Sequence, residues 1–571
     1  MNIEGASVLK FVVGIAELEK TRQDRWVMTL FWVLFACYFW KYAWVTEDAF
    51  INFRVIDRVR AGEGFTWNPG ERVQVFTSAL WMLLTTGVSL ITGEEVWTTL
   101  GLSFVLVTVT LWILYRICFD RLPVFLTLAA LFLSTVSVRD YLSSGLETPL
   151  LMCSLAMFFY FWREGAADWL WLCFCASVCL LVRHDSVVIW GPFLSAAFYQ
   201  IRPWRSGALM RFVFLRAFFG FAPFFAWSLF SLVYYGSPFP NTAGAKIVQG
   251  YDHVSQGFHY LGFMQSFDPL GFWLLLGGVL AFGVFRLPGF SPASLALILF
   301  FLYVLKVGGD YMAGRFFVGP VVMCVFLLAK NSRPIQSFFV AGLPGGDRRL
   351  ALVGVLSIFA LQALSPVSVS ALNPGGQAFV FGIADERQYY YGSTDVNTLA
   401  ANGPQHRFRD GVAKLRSKVV ISCNIGMLGY YSSADVYLID PLALSDRFLV
   451  GMPIVSPDVR VGHFERVVPS DYVESILVGG NRFEDPALRR YYDDIRLIVA
   501  GDLFTQERWR AIWRSLTRVH EDWLRDVDVE SGRLQVKAGV DRVSQKLNCL
   551  GSGGQLIEPV EQGGKVALRV L

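Results

Sequence analysis

Apolar runs about as long as a bilayer is thick recur along most of this chain, and they constrain its fold more than any motif does. A helix needs roughly 20 apolar residues to cross the hydrocarbon core. Such runs occupy roughly 26–44, 96–116, 122–138, 149–163, 168–182, 186–200, 211–234, 270–286, 291–306, 314–330 and 349–367. A soluble protein would be about a quarter charged; this one is 17% charged and 54% hydrophobic, with a mean hydropathy of +0.46. The expected class is a polytopic α-helical membrane protein of about eleven transmembrane helices. No short segment ending in a small-residue cleavage site precedes the first run, so that helix is expected to be retained.

The net charge of +4 is weak, and no nucleic-acid partner is expected from it. Its distribution says more. One further apolar stretch, 76–92, is ambiguous. If it lies along the surface, the basic clusters near Lys20, Arg116, Arg163, Arg202–Arg211, Arg286 and Lys330–Arg349 all fall on one side. If it crosses, Arg202–Arg211 moves away from the N-terminal cluster. The tendency of Lys and Arg to stay cytoplasmic selects the first arrangement, with the N-terminus inside and residues 368–571 outside.

That tail is more polar. Lys418–Cys423 and Val436–Asp440 read as strands, and segments near 463–478 and 505–520 read as helices. The expected organisation is a transmembrane module, 1–367, whose first outer loop (45–95) carries surface helices, followed by a mixed α/β domain, 368–571. Of nine Cys, seven (Cys37 to Cys324) lie in or beside apolar runs and none forms a CxxC pair; Cys423 and Cys549 could pair if the tail is outside the cytoplasm. The six His show no metal-ligand spacing.

With this topology every unusual polar cluster falls on the outer face: Glu47–Asp48, Arg139–Thr148, Arg183–Asp185, Tyr234–Lys246 and Lys306–Arg315. Each has a plain structural reading beside a chemical one. Acids after Thr46 suit a helix N-terminus, and 47–60 is amphipathic, with Phe50, Phe53, Ile56 and Val59 on one stripe and Asn52, Arg54, Asp57 and Arg58 opposite. Arg139 with Asp140, and Arg183 with Asp185, could be local ion pairs; Lys246 and Arg315 could be cations at headgroup level. A transporter keeps its charges nearer the bilayer centre. Charge gathered on one side suits an enzyme working at a membrane face.

Several of these segments together resemble a known family. Glu47–Arg54, Gly64–Arg72 and Thr77–Trp81 are similar to the first outer loop of GT-C glycosyltransferases. More narrowly, they resemble the terminal β-(1→2)-arabinofuranosyltransferases of actinobacterial cell-wall arabinan. Ser144–Glu147, Tyr235–Gly236 with Asn241–Lys246, Ser255–Phe258 and Gly308–Arg315 extend the likeness in order over most of 45–320; Asp385–Arg387 and Asp440–Asp446 extend it loosely into the tail. Two departures stand out. The family often has two aspartates where this chain has Glu47–Asp48, and an arginine–proline–glutamate triplet where it has Arg183–His184–Asp185.

The resemblance implies a catalyst in the bacterial plasma membrane that takes a sugar, D-arabinofuranose above all, from a polyprenyl-phosphate donor. The acceptor would be an envelope glycan or glycoprotein on the outer face. Asp48, with Glu47 beside it, is the expected catalytic carboxylate. Arg54, Arg139, Lys246 and Arg315 are the cations expected to meet phosphate; Glu147, His184, Asp185, Asn241 and Asp310 complete the expected donor site. No metal ion or other cofactor is expected to be essential, although some GT-C enzymes use a divalent cation. A lone base at Asp48 would invert the anomeric centre, whereas the resemblance implies retention. Competing readings are another polyprenyl-phosphate sugar (mannose or an aminosugar), a lipid-linked sugar transporter, and a scaffold whose outer domain binds glycan.

Overall fold

A computed structural model describes residues 22–118, 121–162, 169–246, 251–284, 290–332, 379–404, 407–410, 412, 418–456, 461–529, 532–533, 535–538, 543–546, 557–562 and 565–570. Most of the described chain is helical. The opening helix, Arg22–Tyr42, is held by its aromatic stripe: Phe35 stacks on Phe104 at 5.7 Å between ring centroids, and Phe31 meets Phe125 edge-on at 4.9 Å. Val96–Ile117 packs on Thr148–Phe161, Trp169–Val182 on Gly207–Gly220, and Val187–Ile201 on Phe290–Val307. A broad apolar surface faces outward from this bundle, including Phe214, Phe218, Phe219, Leu229, Trp273 and Leu280. Such a surface suits lipid better than water.

The helices are more broken than the apolar runs suggest. Val96–Ile117 alone is long and apolar enough to cross a bilayer among the described residues. Two bent pairs reach that length together: Gly207–Gly220 with Ala222–Tyr235, at 53°, and His253–Phe267 with Pro269–Leu280, at 116°. The run at 122–138 breaks at Thr135, whose extended backbone separates Leu122–Ser134 from Val136–Asp140. Bent and shortened helices of this kind are compatible with a polytopic membrane protein. The run at 349–367 lies outside the described residues.

In the tail, Tyr437–Ile439 pairs in parallel with Val419–Ile421, which runs antiparallel to Ile557–Gln562, itself paired with Lys565–Val570. Both strand-like segments are thus strands. The helix-like segment at 463–478 begins only after Pro469, as Ser470–Val478, and that at 505–520 divides into Gln506–Leu516 and Val519–Leu524. Buried apolar residues of tail and bundle form one continuous cluster. The seam between them is the helix Ala49–Arg60, which packs on Gly426–Tyr431. Two residues of its polar stripe are thereby kept from water: Arg54 and Arg58 are buried against the tail.

Candidate active site

The chain enters the site through a pinned corner. After the opening helix, the Trp44 indole Nε1 donates to the Asp140 carbonyl at 2.7 Å and the Thr46 amide donates to the Ser144 carbonyl at 2.9 Å. Glu47 and Asp48 follow at the head of Ala49–Arg60. Asp48 occupies the cap position, yet its side chain makes no capping bond. It accepts a short hydrogen bond on Oδ2 from the Tyr311 hydroxyl. The Thr46 hydroxyl turns away from the helix to Glu386 Oε2, at 3.1 Å. Glu47 Oε1 accepts from the Met427 amide at 3.0 Å. Burial, then the charge of Asp48, pushes the Glu47 carboxyl up to about 8.

Glu47 and Asp48 border a cavity of about 400 Å³, whose other walls come from five separated segments and the tail. Gly308 and Gly309, both with φ near +80°, turn the chain so that Asp310 and Tyr311 face inward; a Cβ on Gly309 would stand 2.5 Å from the Tyr260 ring. The turn is stitched to the tail, since the Ala384 amide donates to the Tyr311 carbonyl at 2.6 Å and the Ala313 amide to the Ala384 carbonyl at 2.9 Å. Arg315 returns to Asp310 through Nε (2.6 Å) and Nη2 (3.0 Å). Arg183 is bidentate to Asp185 (3.0 and 2.6 Å) and also donates to Glu147 at 3.0 Å. Burial opposes ionisation of Asp185, yet Arg183 keeps it below the usual carboxylate range. The pKa of the His184 ring, flanked by Phe224 and Phe239, is pushed down by burial.

Lys246 differs from both arginines. It ends the short helix Asn241–Lys246 and faces the same cavity, 5.7 Å from the Tyr311 ring centroid. Among the described residues it has no carboxylate within ion-pair distance. Burial, then repulsion from Arg315, lowers its pKa. A buried ammonium in that position favours an incoming anion.

Glu47, Asp48, Glu147, His184, Asp185, Lys246, Asp310 and Arg315 thus line one chamber. Three other residues expected there do not. Arg54 points into the tail, donating to the carbonyls of Trp67 (3.0 Å), Gly429 and Val436 (2.8 Å). Arg139 pairs with Asp140 at 2.8 Å and lies over the Tyr42 ring. Asn241 fastens the Lys246 helix through Nδ2 to the carbonyls of Ala443 (2.8 Å) and Leu444 (3.2 Å). Distant backbone carbonyls, not visible as local patterns, claim Arg54 and Asn241, whereas Arg139 makes the local ion pair that its sequence neighbour Asp140 offers.

The chamber also holds residues the sequence did not single out. Tyr311 lies inside an expected segment. Asn424, Ile425 and His463 arrive from the tail, and the His463 ring meets Tyr311 edge-on at 4.3 Å. Cys423, also in the wall, is disulfide-bonded; Cys549 lies outside the described residues, and the seven described cysteines in or beside the apolar runs are free. Among the described residues, no three His, Cys, Asp or Glu side chains are grouped to hold a metal ion.

Fold and cavity together define a class: an aromatic-rich helical protein of membrane type that gathers acids and bases in one chamber where its helices meet a polar tail. Comparison supplies the particular likeness. The chain is similar to the terminal β-(1→2)-arabinofuranosyltransferase of Mycobacterium tuberculosis, at 29% identity over 431 residues, covering 63% of this chain and 64% of the relative. It is also similar to the protein of the same name from Corynebacterium glutamicum, at 27% identity over 337 residues, 49% of this chain and 47% of the relative. The chain therefore spans less than two thirds of the length of the first relative and about half of the second. No protein-family profile matches it, and no solved structure does.

Proposed function

We propose that this protein is a membrane glycosyltransferase that moves D-arabinofuranose from a polyprenyl-phosphate donor to an envelope glycan or glycoprotein. In this reading the bundle crosses a bacterial plasma membrane eleven times, with the N-terminus cytoplasmic and the chamber on the outer face. The single observation that carries the proposal is the meeting of Asp48, held by Tyr311, with the ammonium of Lys246 in one chamber. Glycosyl transfer from a phosphate needs a carboxylate beside the anomeric carbon and positive charge where the leaving phosphate accumulates negative charge.

Asp48 is the carboxylate that meets the acceptor hydroxyl or the anomeric carbon, and Tyr311 fixes its direction. Lys246 takes the leaving phosphate, which supplies the counter-charge it lacks. Arg183 and Arg315 are already neutralised by their own carboxylates and act as oriented walls. Glu47, protonated near neutral pH, offers a hydrogen-bond donor beside Asp48. The disulfide-bonded Cys423 in the chamber wall supports an oxidising, outer compartment.

The test is transfer of radiolabelled arabinofuranose from polyprenyl phosphate to a synthetic arabinan acceptor by purified protein, beside Asp48→Asn. Transfer by the wild type and its loss in a folded variant are expected. No transfer from that donor, with transfer from a mannosyl or aminosugar donor, would overturn the arabinose reading while leaving the chamber's chemistry in place. The anomeric configuration of the product separates Asp48 acting as base, which inverts, from Asp48 acting as nucleophile, which retains.

A further inference from the structure

One tail helix lies against the end of the bundle at a level its contacts define. Arg508 of Gln506–Leu516 donates through Nη1 to the Val233 carbonyl (2.8 Å) and through Nη2 to the Tyr234 carbonyl (3.0 Å). These are among the last carbonyls of the apolar helix Ala222–Tyr235, which lack partners within that helix. A Cβ on the next residue, Gly236, would stand 2.7 Å from Ile498 and 3.1 Å from Ile512. The tail helix is therefore seated directly on the end of that apolar helix, which the proposed topology places at the outer face of the membrane.

Its residues are sorted around its axis. At 3.6 residues per turn, Ala511 and Ser515 share one face; Ala511 is buried, and the Ser515 hydroxyl accepts from Arg447 of the tail at 3.1 Å. Arg508 and Ile512 come next, on the end of the bundle. Beyond them lie Leu516, Trp509 and Trp513, of which Leu516 is 46% and Trp513 67% exposed. Phe504, one residue before the cap Thr505, is 80% exposed and stands at the spacing that places it beside Trp509. Glu507, Arg510 and Arg514 occupy the remaining flank. The order is tail, bundle end, apolar flank, polar flank. The bundle helix beneath continues the apolar flank with Phe225, Leu229 and Phe230, all exposed.

We propose that Phe504, Trp509, Trp513 and Leu516 lie in the interfacial layer of the outer leaflet, so that this helix clamps the tail to the bilayer beside the chamber. Lipid is the occupant that fits, because the flank continues the bundle's outward apolar surface. Tryptophan is also enriched at bilayer interfaces, and arginines on the same helix can reach headgroup phosphates.

The test places an environment-sensitive fluorophore at Trp513→Cys, and separately at Arg510→Cys, in full-length protein whose exposed Cys37 is replaced by serine. The protein is held in nanodiscs of phosphatidylethanolamine and phosphatidylglycerol. Interfacial helices bury their apolar face by about 5–10 Å, so the label at 513 should be blue-shifted, lose most of its emission to headgroup and shallow acyl nitroxides, and resist aqueous iodide. The label at 510 should show stronger iodide quenching. Equal iodide quenching at both positions would overturn the proposal. So would a label at 513 shielded from iodide and nitroxides alike, since protein would then cover the flank. Both positions are exposed, so neither variant threatens folding, and the readout is independent of transfer activity.

Discussion

The Tyr311 hydroxyl donates to Asp48 Oδ2, joining two residues more than two hundred and sixty positions apart in the chain. The bond also bears on the plain reading of the Glu47–Asp48 doublet as a helix cap. Were it a cap, the Asp48 or Thr46 side chain would accept an amide of the first turn. Neither side chain does, and the Thr46 hydroxyl is directed to Glu386.

Tyr311→Phe should therefore impair transfer without unfolding the protein. A hydrogen bond to a charged group is worth about 1.5–3 kcal/mol, which corresponds to roughly 10- to 100-fold in rate. The loss should fall on kcat, with the donor KM little changed, because Tyr311 orients a carboxylate and does not bind the lipid. An equal loss in Tyr311→Phe and Tyr311→Ala, with KM rising in both, would return Tyr311 to a packing role.

Glu47 and Asp48 are adjacent in sequence but should behave oppositely. Burial and the Asp48 charge raise Glu47 to about 8, so Glu47→Gln imitates its neutral form and should keep most transfer at pH 7. Asp48→Asn should cost about 10²–10⁴-fold, the range for a lost catalytic acid or base. The linkage has a definite sign. The native state holds a proton on Glu47 from the ordinary carboxylate range up to about 8, where the unfolded chain has lost it, so stability falls as pH rises through that window and levels off above it. Buried Asp446, raised to about 8, and Asp385 and Asp440, raised to about 6, add to the same slope. In a fluorimetric melt Glu47→Gln should gain on the wild type at pH 8–9 relative to pH 5; parallel curves would contradict this.

The parts of this molecule legible in sequence are those with local causes. Apolar runs mark the bundle, the short apolar run in Val436–Asp440 marks a strand, and the glycine pair before Asp310 marks a turn. The polar clusters at 47–48, 147, 183–185, 246 and 310–315 meet in one chamber. Illegible features depend on distant partners. Arg54 shares a stripe with Arg58 that reads as solvated, and only the docked tail shows both buried. His463 reaches Tyr311 from the tail with no motif around it. A hydropathy profile averages away the helix breaks at Thr135 and at Phe221, the latter between Gly220 and Pro223.

Arg54 supplies a test of that distinction. Its guanidinium joins the helix after the doublet to three tail and loop carbonyls and lies 4.7 Å from the Trp67 ring centroid. Arg54→Met should lower stability by about 2–4 kcal/mol, because it leaves buried carbonyls unpaired. The KM for donor should stay near the wild-type value in the folded fraction. A selective rise in donor KM with stability unchanged would instead place Arg54 at the phosphate.

Lys246 should show the converse. Its ammonium is disfavoured by burial and by Arg315 and lacks a carboxylate within ion-pair distance among the described residues, so removing it relieves the free protein while depriving the phosphate of its partner. Lys246→Met should leave the thermal midpoint equal to or above the wild type and reduce transfer by roughly 10²–10³-fold, the scale of losing one group that stabilises developing negative charge. Lys246→Arg should recover only part of this, since a planar fork meets a phosphate at a different reach from a compact ammonium. The arginines beside it are expected to respond differently: Arg315→Met strands Asp310 as an unpaired buried carboxylate, so its activity loss should come with a lower melting temperature. A drop in stability in Lys246→Met as large as in Arg315→Met would mean that Lys246 is a structural cation, and the phosphate would have to be sought at another wall of the chamber.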